Sequence, residues 1–97
     1  MATPSANPPG SEQTSLIEYP CVFPIKVMGL DVEGFEPAML AIARESDASF
    51  DAATTERRPS SSGKYLGLTL HVRVQSREQL DALYMRFTGH EMVKVVL

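Results

Sequence analysis

Apolar and polar side chains alternate without interruption from Leu66 to Val74, with Leu66, Leu68, Leu70, Val72 and Val74 on one parity and Gly67, Thr69, His71 and Arg73 on the other. A period of two over this length predicts a strand with one face on a core and the other left open. Phe23, Ile25 and Val27 repeat the pattern against Pro24, Lys26 and Met28, which predicts an earlier strand ending at Gly29. Between them, Phe35, Ala38, Met39 and Ile42 recur at three- and four-residue spacing. That spacing predicts a helix over roughly 32–46, with Pro37 acceptable because it falls in the first turn.

Phe50, Ala52 and Thr54 share a parity in a weakly apolar stretch that becomes charged at Arg57 and Arg58, so Phe50–Arg58 reads as an edge strand protected against further pairing. Ser76 followed by Gln79 has the form of a capping box, and Leu80, Leu83, Tyr84 and Phe87 form the apolar stripe of a second helix that Gly89 stops. Val93, Val95 and Leu97 alternate with Lys94 and Val96 in a closing strand. The order is strand, helix, strand, strand, helix, strand. Two right-handed crossovers then place both helices on one face of a four-stranded antiparallel sheet, an α+β, ferredoxin-like βαββαβ sandwich with the two most apolar strands at its centre.

Of the 97 residues, the first 15 are rich in Pro, Ser, Ala and Gly and bring too little apolar surface to offset the entropy of ordering. They are expected to form a disordered tail, with residues 16–97 as one domain. A domain of this size buries only about 60% of its unfolded surface, which leaves no room for a large internal active-site cavity. The net charge of −3 is spread along the chain and offers no footprint for nucleic acid or anionic lipid. A single cysteine excludes an internal disulfide, and no apolar run is long enough to span a membrane. With no signal-like N-terminus either, the expectation is a cytoplasmic protein.

The densest run of cations and hydroxyls is Arg57, Arg58, Ser60, Ser61, Ser62, Gly63 and Lys64, in the turn between two strands. Guanidinium and hydroxyl groups suit carboxylates and phosphates, so this hairpin is a candidate site for a small anionic metabolite. It lacks the first glycine, the following hydroxyl residue and the helix that a nucleotide phosphate loop requires. The second candidate is the open sheet face, where Lys26, Met28, Thr69, His71, Arg73, Lys94 and Val96 mix apolar and basic groups in a manner suited to a homodimer or a partner enzyme. The face has no aromatic side chains at its centre on which RNA bases would stack. His71 has no second histidine or carboxylate at a useful spacing, Cys21 shares the core parity of Phe23, and His90-Glu91-Met92 is not followed by a second histidine four residues on. No catalytic set, metal site or cofactor is therefore expected.

Tyr19-Pro20 leading through Phe23 to Lys26-Val27-Met28-Gly29, then Pro59-Ser60-Ser61-Ser62-Gly63-Lys64-Tyr65 and Val93-Lys94-Val95-Val96-Leu97, resemble the YbeD-like family of small bacterial proteins of unknown function. The resemblance covers about residues 16–97. It implies a fold similar to ACT regulatory domains, which bind amino acids or other small metabolites as dimers, and a loose link to lipoate metabolism. It transfers no catalytic residue. The loop after the first strand, Gly29-Leu30-Asp31-Val32-Glu33-Gly34, departs from the ACT pattern: its Pro-Gly step is missing and its two acids repel a carboxylate. The expectation is a non-enzymatic regulatory module that binds a small anionic metabolite or a partner enzyme. The alternative is an adaptor that binds protein through the open face without a ligand.

Overall fold

The computed structural model describes residues 18–97, so the expected tail over residues 1–15 lies outside the described residues. The elements are β1 (Cys21–Leu30), α1 (Phe35–Ser46), a single 3-10 turn (Ala52–Thr54), β2 (Glu56–Pro59), β3 (Tyr65–Val74), α2 (Arg77–Thr88) and β4 (Val93–Val96). The sheet is antiparallel in the order β2-β3-β1-β4, which is the ferredoxin-like arrangement, with β1 and β3 at the centre.

Ten residues of β1 pair with ten of β3 in one register, from Cys21 opposite Val74 to Leu30 opposite Tyr65. Ile25 and Val27 join all five apolar residues of β3 on the face that receives the helices. Phe35, Met39, Ile42 and Ala43 of α1 and Leu80, Leu83 and Phe87 of α2 close over them. Phe23 and Cys21 are partly buried against this cluster, with the Phe23 ring edge-on to Tyr84 at 6.4 Å. Burial pushes the Tyr84 phenol up from its ordinary value.

Ser76 caps α2 as expected, its hydroxyl accepting from the Gln79 N–H at 3.1 Å. The reciprocal half of the capping box is shifted by one residue, because the Gln79 side-chain oxygen accepts from the N–H of Gln75. The same amide donates to the carbonyl of Ser46 at 2.8 Å, so one side chain both starts α2 and fastens it to the end of α1.

Three expectations need correction. Helix α1 begins at Phe35 rather than near 32, after a turn in which the Phe35 N–H donates to the Val32 carbonyl. The stretch from Phe50 is not a strand until Glu56. Asp51 accepts from the Ala53 N–H at 3.0 Å and Thr54 donates to the Asp51 carbonyl, and these short-range bonds turn the chain into a 3-10 helix that the weak alternation cannot override. In β4 the parity is inverted over part of the strand. Gly29 pairs with Val93 but Met28 pairs with Val95, so Lys94 is the extra residue of a bulge. Past it, Val96 packs on the core while Val95 and Leu97 lie on the open face.

β2 covers β3 only from Leu66 to Thr69, which leaves the far half of that edge without a strand partner. Asp47, only 8% exposed, fills part of the gap by accepting from the N–H of Arg73 at 2.9 Å, and it also accepts from the Ser49 N–H and hydroxyl. Burial alone would raise the Asp47 pKa. The hydrogen bonds from Ser49 and Arg73, with the Arg73 charge, outweigh burial and hold it below the ordinary 3.8.

Two predictions follow from this packing. A Cβ on Gly29 would meet the Met92 carbonyl oxygen and come within 2.6 Å of the Phe35 ring, whereas one on Gly67 finds its nearest neighbour, the Arg58 carbonyl, at an ordinary 3.5 Å. In equilibrium urea unfolding, Gly29→Ala is expected to cost about 1–3 kcal/mol, while Gly67→Ala stays within about 0.5 kcal/mol of the parent or stabilises it. For Asp47, a depressed folded-state pKa contributes stability above the unfolded value of 3.8 that is lost as pH falls through the folded one. Asp47→Asn is thus expected to be less stable at neutral pH, with the gap closing below about pH 4 as the parent loses stability more steeply. Parallel midpoints down to pH 2 would contradict this.

Candidate functional site

Because β1 and β3 bury one parity, the other is presented together on the opposite side of the sheet, where no helix lies among the described residues. The register sorts these side chains into rows across the strands. Val95, Met28, Gly67 and Arg58 form one row, and the next holds Lys26, Thr69 and Glu56. Leu97 joins this second row through backbone hydrogen bonds with Lys26 in both directions. Pro24 and His71 lie opposite each other beyond it. Gly67 contributes no side chain, so the surface sinks between Met28 and Arg58 into a trough of about 650 Å³ that touches all four strands.

The trough is chemically two-sided. Pro24, Met28, Val95 and Leu97 make its β1 and β4 flank apolar, and these four residues are exposed. Lys26 and Arg58 bring positive charge, and neither forms an ion pair among the described residues. Glu56 is the one acidic side chain in the lining, and its Oε2 lies 2.8 Å from Nε2 of His71. With the proton on Nε2, the imidazole donates to the carboxylate and occupies it. By contrast, Arg77 and Arg86 on the helical side are matched with Asp81 and Glu45. The open face is therefore cationic although the whole chain carries −3.

The hairpin between β2 and β3 is held largely by its own groups. The Ser60 N–H donates to the Tyr65 carbonyl, and the Ser60 hydroxyl accepts from the Tyr65 N–H at 3.0 Å. The Ser62 hydroxyl accepts from the Lys64 N–H and lies 3.3 Å from that of Ser60. Gly63 sits at φ +76°, a left-handed position that a residue with a Cβ enters only at a cost. Lys64 places its ammonium 5.6 Å from the centre of the Tyr65 ring. Arg57, opposite Leu68 and so on the core-side parity, sends its guanidinium to Glu36 of α1 at 2.8 Å.

The two expected surfaces thus meet at Arg58 and Ser60, which line the same trough as Lys26, Met28, Thr69 and His71. Arg57 also borders it, with its charged end engaged at Glu36. Ser61, Ser62, Gly63 and Lys64 stand outside it on the hairpin tip. Arg73 continues the open parity beyond the trough, opposite the exposed Val22. Lys94 is exposed at the bulge outside the lining, and Val96 is on the core side, so neither shares the surface predicted for it. Glu56 and Val95 were missed. Glu56 was hidden by the misplaced start of β2, although its parity with Arg58 would have exposed it; Val95 is revealed only by the bulge.

Among the described residues no cluster of three or more His, Cys, Asp or Glu is placed to hold a metal ion, and no helix is long and apolar enough to cross a membrane. Comparison with known proteins adds a family. A profile described as "Protein of unknown function (DUF493)" matches residues 14–97. A UPF0250 protein of Leptothrix cholodnii is 55% identical over 85 residues, covering 88% of this chain and 93% of its own length. A UPF0250 protein of Paraburkholderia phytofirmans is 52% identical over 87 residues, or 90% of this chain and 98% of the relative.

Proposed function

The chain belongs to the DUF493, or UPF0250, family of small bacterial proteins of unknown function, and on that footing we propose that it is a non-enzymatic, cytoplasmic binding module whose working surface is the trough on the open sheet face. Its ligand in this reading is a small anionic metabolite with an apolar part, and binding modulates a partner enzyme. The observation that supports it is the pairing of two cations that form no ion pair among the described residues, Lys26 and Arg58, with an exposed apolar flank around the gap above Gly67. A carboxylate over Gly67 would have Arg58 in its own row and Lys26 and Thr69 in the next, with its apolar body over Met28 and Val95.

The expectation that His71 has no carboxylate at a useful spacing is corrected by Glu56, which the pairing of β2 with β3 brings to its Nε2, while the one cysteine, Cys21, packs toward the core on the opposite face and does not join that pair. In a twofold face-to-face pairing only residues on the axis meet their own copies, so a homodimer through this face needs the two copies offset to keep Lys26, Arg58 and Arg73 apart. The proposal includes a homodimer in that offset form. The exposed Met28, Val95 and Leu97 support the second reading, an adaptor that binds protein there without a metabolite.

A thermal-shift panel of amino acids, small carboxylates, lipoate, octanoate and nucleotides tests the proposal. A ligand at about 100 times its dissociation constant adds roughly 2.7 kcal/mol, and each kcal/mol raises the midpoint by about 4–8 °C in a domain of this size. An anionic compound is expected to shift the parent by that amount and to shift Gly67→Val, whose side chain intrudes on the trough floor between Met28 and Arg58, by clearly less. A flat panel with the parent, or a shift in Gly67→Val as large as the parent's, would remove the trough floor as a metabolite site.

A further inference from the structure

The open face divides along its length into an apolar half over β4 and β1 and a cationic half over β1, β3 and β2. Met28, Val95 and Leu97 are the exposed apolar side chains of the first, at 36%, 37% and 73% exposure. Lys26, Arg58 and Arg73 supply the second. Four strands set about 4.8 Å apart make a row roughly 14 Å wide. An α-helix with its side chains is about 10–12 Å across. One helix laid along the strands therefore fills the width of the face, with one flank on the apolar half and the other on the cations.

We infer that this face docks an acidic, amphipathic helical segment of a partner protein. The inference rests on the reading of the trough as the working surface and names the kind of partner it takes. Charge complementarity selects the occupant. Against Lys26, Arg58 and Arg73 the face sets one acidic side chain, Glu56, so the charge left to be matched is positive. A second copy would bring the same positive face to the contact. An acidic helix with leucines at i, i+3, i+4 and i+7 instead sets its apolar stripe on Met28, Val95 and Leu97 while its flanking carboxylates reach Lys26, Arg58 and Arg73.

The test uses the full chain and a fluorescent peptide of about 14 residues, roughly 20 Å long as a helix, built from leucines at that spacing with glutamates elsewhere. The comparison peptides carry lysines in place of glutamates, or the acidic composition in scrambled order. The acidic peptide is expected to bind more weakly as salt rises and to shift the amide resonances of Lys26–Met28, Gly67–His71 and Val95. Reversing both cations, Lys26→Glu with Arg58→Glu, is expected to weaken it by at least about tenfold. Reversing Arg77 and Arg86 on the helical side leaves binding unchanged. Equal binding of the lysine or scrambled peptide, or resonance shifts confined to α1 and α2, would overturn the inference. If small carboxylates shift the face and the acidic peptide does not, the docking inference falls and the metabolite reading stands. If neither shifts it, both fall.

Discussion

Ten consecutive pairings between β1 and β3 tie every other feature of the molecule to a parity. Once Ile25 faces the core opposite Leu70, each neighbour along both strands is committed to one side, because a slip of one residue would expose five apolar side chains of β3 and bury Thr69, His71 and Arg73. The apolar side recruits α1 and α2, and the other side is left as a flat surface. That surface is a consequence of how the core is made, and its composition is where function has room to be written.

What occupies it is a segregation of charge. The helical layer places Glu36, Glu45 and Asp81 against Arg57, Arg86 and Arg77, and its remaining Arg44 and Glu78 are opposite in sign, so that layer has no excess of cations. The open face has Lys26 and Arg58 in the trough and Arg73 beyond it near Asp47, against one acidic side chain in the lining, Glu56. Exposed ion pairs stabilise a fold little, about 0–1 kcal/mol each, so leaving cations unmatched on one face costs the fold almost nothing. It sets the sign of what can bind there. Gly67 adds shape to sign, since a side chain at that position would close the gap between Met28 and Arg58.

The fold was legible because its strongest signals are long. The nine-residue alternation of β3, the helical spacing of Phe35, Met39 and Ile42, and the Ser76 cap each agree with the topology they imply. The failures lie where one local bond decides. Asp51 and Thr54 form a turn with their own backbone and displace the start of β2, and Glu56 was lost with it. The bulge at Lys94 arises where β4 crosses Gly29, which has no room for a side chain between the Met92 carbonyl and Phe35. No alternation within Val93–Leu97 records that contact, so Val95 and Val96 exchanged faces. The cationic hairpin was visible as composition. That its hydroxyls are used internally, and that Arg57 turns to Glu36 while Arg58 turns to the trough, follows only from pairing β2 with β3.

The central claim is that the open face is occupied when the protein works, and the chain's three lysines provide a built-in comparison, since Lys26 is in the trough, Lys64 on the hairpin tip and Lys94 at the bulge. The most direct measurement is mass-spectrometric lysine labelling of the full chain in its own cell extract and after purification. Lys26 is predicted to react more slowly in the extract, with Lys64 labelled alike in both. Equal labelling of Lys26 in the two states, with protection at Lys64 instead, would contradict the claim and move the working surface to the hairpin.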